Sequence, residues 1–369
     1  MTKRCVLSFL IATSILISCE NEPEKHETET SGNQDNREAT ITNLGDFLNG
    51  WEITKIKYDF ESFDINCRDL FFINPEIGFV VGYNGVIYKT INSGKSWKKQ
   101  NSGTTAHFFS VYFINESVGF ASADAMDEGC LNEDCGKGCV FLKTIDGGET
   151  WTKNFFKDYI RIRSLYFFNE STGLALVNYN SIYYYIAKTE NGGDSWKIIN
   201  PTIKTPHENF FYVDNIVYLA GERQEIYKST DWGDNWETLT TPIPAWNNVR
   251  NLYFYNENIG FIDGVTYIYK TTDGGKNWTT VDLPFSTLGT FHLYSESEWF
   301  KFESVYVYEF GDFPTFKGSQ SYHTYDGGKT WDNSGLIDSV YIGLAYFPQR
   351  DLGYAYNGSE FHVIKKKQK

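Results

Sequence analysis

The sequence carries none of the short signatures of a catalytic centre: no HExxH, no GxSxG, no P-loop and no CxxC pair. Its six histidines, at positions 26, 107, 207, 292, 323 and 362, are scattered rather than clustered. Positive charge is scarce. The 33 Lys and Arg stand against 47 Asp and Glu, a formal net charge of −14, which argues against nucleic acid or an anionic membrane surface as partner. The terminal Lys365-Lys366-Lys367 run reads as a solvated tail. Methionine occurs only 2 times whereas aromatics reach 18%, a balance that suits a sheet-rich core. No stretch reads as a long helix, and the apolar run from Val6 to Ile17 is too short to span a membrane comfortably.

What the chain does contain is repetition. Thr144 to Trp151 reads TIDGGETW, Thr271 to Trp278 TTDGGKNW and Thr324 to Trp331 TYDGGKTW, with looser copies from Thr90, Thr189 and Ser229. Each copy has Ser or Thr, then Asp or Asn two residues on, Gly two further and Trp three beyond. Asp146, Asp273 and Asp326 suit the capping of turn N–H groups, and Gly takes the positive φ that other residues resist. Trp151, Trp278 and Trp331 then open the next strand with a large ring to bury. Five copies follow a Lys that ends a Tyr/Val/Leu-rich run, and His323 replaces it in the sixth. The six tryptophans are separated by 54, 45, 40, 42 and 53 residues, a period that predicts a β-propeller.

A second phrase repeats in step. Leu70-Phe71-Phe72-Ile73-Asn74 through Gly78-Phe79 returns at Val111, Leu165 and Leu252, with weaker versions near Phe210, Phe291 and Leu344. These seven inner hairpins against six turn motifs leave one outer strand missing, and Trp51-Glu52-Ile53-Thr54 supplies it. The expectation is a single all-β, seven-bladed propeller over 46–369 with four-stranded antiparallel blades. Its N-terminal outer strand completes a last blade drawn from 340–365, and closure leaves few open edges.

The turn motif resembles the Asp-box, or BNR repeat, of sialidases, sortilin-type receptors and some glycoside hydrolases. The whole repeat is similar to the photosystem II stability/assembly factor family and its bacterial relatives across about 50–365. That resemblance implies boxes on the rim of one face that hold the blades together. It leaves activity open. A sialidase mechanism needs an arginine cluster for the substrate carboxylate, a Tyr nucleophile and acidic partners; no FRIP-like motif is present, and sialidases have six blades.

The N-terminus reads as an export signal. Lys3 and Arg4 precede the apolar run, and Ser18-Cys19 closes it. Leu16-Ile17-Ser18-Cys19 resembles the bacterial lipobox, which implies a signal peptide over 1–18 and lipidation of Cys19. Glu20, Glu22 and Glu24 resemble an export signal of surface lipoproteins. Residues 19–45 are too polar to order themselves and read as an acidic tether. The expected location is the bacterial envelope, as an outer-membrane lipoprotein facing the periplasm or the cell exterior.

In a four-stranded blade the inner-hairpin turns and the boxes share one face, and the remaining loops share the other. Two loops on that second face are long, 122–138 and 309–320, and insertions confined to one face of a repeat protein mark a binding face. The first carries Asp124, Asp127, Glu128, Glu133 and Asp134. These are oxygen ligands suited to Ca²⁺ but without EF-hand spacing, so no metal or other cofactor is assigned. The second presents Phe310, Asp312, Phe313 and Phe316, aromatics of a kind found at protein or glycan contacts. Arg161, Arg163, His207, Trp246 and Arg250 fall in blade connections on the same face. Two functions fit: a lipid-anchored module that binds an envelope or extracellular protein or glycan without catalysis, or a carbohydrate-active hydrolase or lyase using acidic loop residues. Four cysteines remain in the exported domain, and an oxidising compartment favours disulfides. The expected pairs are Cys67–Cys139 and Cys130–Cys135, with Cys67–Cys130 and Cys135–Cys139 as the alternative.

Overall fold

A computed structural model describes residues 40–48, 51–57, 67–124, 138–159, 161–178, 183–205, 210–221, 224–244, 249–264, 267–283, 290–307, 315–338, 344–356 and 360–367. The chain divides into Met1–Arg37, all of it outside the described residues, and Glu38–Lys369. The latter is a seven-bladed propeller of antiparallel sheets. Blade one comprises Cys67–Phe72, Gly78–Gly82, Ile87–Thr90 and Lys98–Gln100. Blades two to six follow with inner strands Phe108–Phe113, Arg161–Phe167, Phe211–Val213, Val249–Phe254 and Thr290–Leu293. Blade seven takes Leu344–Gln349, Leu352–Tyr356 and Glu360–Lys366 from the C-terminus and Trp51–Lys57 from the N-terminus. Trp51 pairs with Lys366 and Lys57 with Glu360, which is the closure the missing outer strand required.

The second repeated phrase builds the contacts between blades. Phe72 stacks on Tyr354 of the preceding blade at 3.6 Å between centroids, and the pattern recurs for Phe113 on Phe79 at 4.0 Å, Phe167 on Phe120 at 3.7 Å and Phe254 on Tyr218 at 3.8 Å. Each ring also lies flat on the glycine of its own hairpin: a Cβ on Gly78, Gly119, Gly173 or Gly260 would fall 2.3–2.6 Å from it. The Asn of the phrase shapes the turn. Asn74 Oδ1 accepts from the N–H of Glu76 at 2.9 Å and of Ile77 at 2.8 Å, and Asn115, Asn169 and Asn256 do the same in their blades.

The boxes are closed by their own side chains. Thr144 Oγ1 accepts from Gly148 N–H at 2.8 Å and donates to Asp146 Oδ1 at 2.8 Å, while Asp146 Oδ1 accepts from Thr150 N–H at 2.9 Å. All six copies make these bonds. Where the first glycine is absent, Ser93 and Trp232 themselves take φ of 60°. The Lys before a box reaches forward: Lys89 Nζ donates to Gly147 O at 2.7 Å, Lys228 Nζ to Gly274 O at 3.4 Å, and Lys188 pairs with Asp234. The tryptophan rings are less covered than expected. Trp97 and Trp196 are buried, whereas Trp151, Trp236, Trp278 and Trp331 are only half-buried, because the outer strand has a single neighbour.

At the seam, side chains from four strands and the turn before one of them take the place of a box. Trp51 is fully buried, with its ring 4.8 Å from Phe300. Glu298 of blade six receives Lys366 Nζ at 2.5 Å and stands 3.2 Å from His323 Nε2. Burial holds His323 below the ordinary histidine range.

Two expectations need correction. Thr40–Leu48 is a strand antiparallel to Trp51–Lys57, so blade seven has a fifth strand and residues 40–45, expected in the tether, lie in it. Residues 40–43 pair in register through their backbone, which composition alone does not reveal. The loop expected at 309–320 is strand from Thr315 onward: Trp299–Val307 and Thr315–Thr324 pair as strands of 9 and 10 residues that lengthen blade six, and 309–314 lie outside the described residues. Phe316 therefore lies opposite Tyr306 in a sheet rather than in a loop.

Candidate binding face

The inner strands break their regular pairing where they approach the loop face. Register shifts fall between Cys67 and Asp69, Phe108 and Ser110, Arg163 and Leu165, and Val249 and Asn251. A bulge of this kind re-aims a side chain and sharpens the local twist. In blade one it presents Arg68, whose guanidinium lies over the Tyr83 ring at 4.6 Å. Tyr83 meets His107 edge-on at 4.6 Å, and His107 Nδ1 accepts from Asn84 N–H at 3.1 Å. In blade two the bulge presents Phe109. Arg163 of blade three stacks on that ring at 3.6 Å, and Arg161 approaches it at 5.6 Å. Three guanidinium groups from blades one and three are thus braced by aromatic rings from blades one and two, an arrangement that fixes cations at the cost of little conformational freedom.

Beneath them, one position stitches neighbouring inner strands together. Asp69 accepts Leu70 N–H through Oδ1 and Val111 N–H of the next blade through Oδ2, both at 2.9 Å. Burial pushes the Asp69 carboxyl up to about 6 despite those donors. Ser164 repeats the role, its Oγ accepting Phe210 N–H of blade four at 3.5 Å. Deeper still, Phe71, Tyr112 and Tyr166 follow one another with centroids 5.2 and 5.6 Å apart.

The residues singled out in the sequence fare unevenly. Arg161 and Arg163 come together, but on the inner strand Arg161–Phe167 rather than in a blade connection. Arg250 likewise sits in a strand, at the bulge of blade five. Asp124 ends the strand Gly119–Asp124 and is buried; its Oδ1 accepts His107 N–H at 3.0 Å, so it ties its blade to a neighbouring connection instead of standing in the loop. Among the described residues no group of three or more His, Cys, Asp or Glu is placed to hold a metal ion. Cys19, Asp127, Glu128, Cys130, Glu133, Asp134, Cys135, His207, Trp246, Asp312 and Phe313 lie outside the described residues. The Cys67–Cys139 bond is not made: both are free thiols. Cys67 packs against the core between blades seven and one, whereas Cys139 is buried in the core between blades two and three. Burial pushes the Cys139 thiol up to about 12.

Arg68, Tyr83, His107 and Phe109 were not singled out. The signal for the bulge was available in Arg68-Asp69-Leu70, Phe109-Ser110-Val111, Arg163-Ser164-Leu165 and Arg250-Asn251-Leu252. One slot before the polar residue that precedes each inner phrase holds Arg three times and Phe once.

Fold and site together define a closed Asp-box propeller with a cationic, aromatic-braced mouth on its loop face. Residues 46–199 match the family model described as photosynthesis system II assembly factor YCF48, a span from the closing strand through blade three. The resemblance read from the boxes is thereby borne out. Among solved structures, the chain is similar to YCF48 bound to D1 peptide, at 15% identity and a TM-score of 0.60, covering 87% of this chain and 98% of that one. YCF48 from Cyanidioschyzon merolae is similar at 14% identity and TM-score 0.58, covering 86% and 98%. The GH74 enzyme of Niastella koreensis gives 14% and 0.58, covering 80% of this chain and 52% of the enzyme. At these identities the likenesses establish the fold alone. No curated protein matches the chain.

Proposed function

We propose that this chain is a non-catalytic binding module, anchored to the bacterial envelope through a lipid on Cys19, whose loop face holds a carboxylate-bearing segment of a partner protein. The observation that carries the reading is the set of arginines braced on Tyr83 and Phe109 at the mouth, with Arg161 exposed. Rigid guanidinium groups suit carboxylates, and aromatic neighbours suit the apolar side chains between them. The YCF48 structure with a D1 peptide supports the reading by showing a protein segment held on a propeller of this kind in that protein. A hydrolase reading needs an acid and a base free to exchange protons. Asp69 accepts two backbone N–H groups and Asp124 one, so these two loop-face carboxylates serve structural roles.

The test compares the wild-type chain with an Arg161→Gln/Arg163→Gln variant in capturing proteins from detergent-solubilised envelope. Loss of a captured protein with an unchanged melting curve is expected. Full capture by the variant would remove the loop-face mouth from consideration.

A further inference from the structure

At the opposite end of the inner strands, on the box face, blades four to seven line an open cavity of about 310 Å³. This is the small end of the range for ligand pockets, roughly 300–1,000 Å³. Its walls are aromatic: Phe211, Tyr253 and Phe254 from blades four and five, and Phe347 from blade seven. His292 of blade six completes them, stacked on Phe347 with centroids 3.7 Å apart and planes at 18°.

The rim carries one charge. Arg350, in the inner turn of blade seven, lies on the Tyr255 ring of blade five at 3.8 Å and donates from Nη2 to Tyr255 O at 3.3 Å. Two contacts to one residue hold the guanidinium in place. No carboxylate pairs with Arg350 among the described residues, although the chain is acidic overall. His292 adds no second charge. Its Nε2 lies 2.8 Å from Arg350 O, and a carbonyl only accepts, so Nε2 carries the proton. Burial and the nearby Arg350 push its pKa down to about 3, which leaves the ring neutral at physiological pH.

We propose that this cavity is a second ligand site, which takes a carboxylate borne on a planar or branched apolar group. The aromatic walls remove the apolar group from water, and Arg350 offers the carboxylate a charge-assisted bond at the rim. Two sources share that chemistry: a free aromatic acid and the C-terminal residue of a peptide. The site lies on the face opposite the arginine mouth and does not depend on the function proposed for that mouth.

Calorimetric titration of the full chain with four probes tests it: phenylacetate, phenylacetamide, and a hexapeptide ending in Phe as free acid or as amide. One or both acids are expected to bind at least about tenfold tighter than the matching amide, the worth of one charge-assisted bond. Binding by phenylacetate identifies a free acid as sufficient, and binding by the peptide acid alone identifies a chain end. Arg350→Gln should abolish the preference for acid over amide, while Arg163→Gln on the loop face leaves it intact. Equal affinity for acid and amide, no binding of either acid up to about 10 mM, or an unchanged preference in Arg350→Gln would each overturn the proposal. Arg350 is exposed on a turn, so its variant is expected to keep the wild-type melt. Should it not, the same comparison of acid with amide in the Arg161→Gln/Arg163→Gln variant, which lacks those loop-face guanidinium groups, decides alone: a retained preference supports the pocket and its loss overturns the proposal.

Discussion

Trp51→Ala perturbs the place where the two ends of the chain meet. Trp51 is fully buried and lies edge-on to Phe300, Tyr294 and His292 at 4.8, 5.7 and 6.1 Å. Burying a Trp removes about 200 Å² from water, which at ~25 cal/mol per Å² gives an upper figure of about 5 kcal/mol. Measured truncations of buried Trp cluster at about 3–5 kcal/mol, because the cavity left behind relaxes only partly. With an unfolding entropy of ~2.1 cal/mol/K per residue over about 330 residues, that loss lowers Tm by roughly 4–7 °C. A second consequence is specific to the seam. Trp51 anchors the strand that pairs with Glu360–Lys366, so the variant should expose these two strands to amide exchange ahead of blades two and three. Hydrogen exchange read by mass spectrometry, with thermal melts, measures both effects. A Tm within about 1 °C of wild type, or uniform exchange across all blades, would refute the argument.

Trp151→Ala should be milder, about 2–3 kcal/mol, since that ring is half-buried at an outer strand; chemical denaturation of the two variants side by side tests the ranking. Asp146→Asn is expected to be nearly neutral, because Asn92 and Asn191 make the same bonds in their boxes, while Asp146→Ala lowers the melting temperature measurably. Hydrogen bonds from Thr150 and Thr144 depress Asp146 to about 2, and Asp273 and Asp326 are depressed to about 2 in the same way. A depressed carboxylate stabilises the fold above its unfolded pKa near 3.8 and loses that contribution as pH falls through the folded value, so acid titration should show stability falling between about pH 4 and 2. A triple Asp→Asn variant at 146, 273 and 326 should flatten that slope. Cys19→Ala should move the protein from the membrane to the soluble fraction, since several acyl chains are needed for stable anchoring; unchanged fractionation would remove the lipid from the account.

How much of this was legible follows from what each feature depends on. The boxes were readable because Thr144, Asp146 and Gly148 satisfy one another within five residues. The phrase around Gly78 was readable because Phe72 needs a residue without a Cβ beneath it. Closure by Trp51 followed from counting hairpins against boxes. The fifth strand was hidden because 40–48 forms through backbone pairing with Trp51–Lys57 rather than through an apolar pattern. Blade six is longer than expected because Phe316, read as part of an exposed aromatic loop, pairs with Tyr306 and extends the sheet. The arginine mouth was half seen: Arg161 and Arg163 stood out, but Phe109, the ring that gathers them, comes from a different blade. Contacts between blades depend on where each repeat is bulged, and bulges leave only a faint mark in sequence.

The seam also sets the order in which the molecule can be finished. Blades one to six can each form as their own residues emerge, but the strand Trp51–Lys57 has only its hairpin mate Thr40–Leu48 until Glu360–Lys366 has been made. Joining ends some 300 residues apart costs only roughly 2 kcal/mol more than joining ends about forty apart, since loop entropy grows with the logarithm of length. The delay is therefore one of synthesis rather than of thermodynamics. Until the last few residues leave the ribosome, the chain is an open ring in which the hairpin of Thr40–Leu48 and Trp51–Lys57 keeps one edge unpaired, so a nonsense change anywhere before Glu360 leaves blade seven without the strand on which Trp51–Lys57 closes.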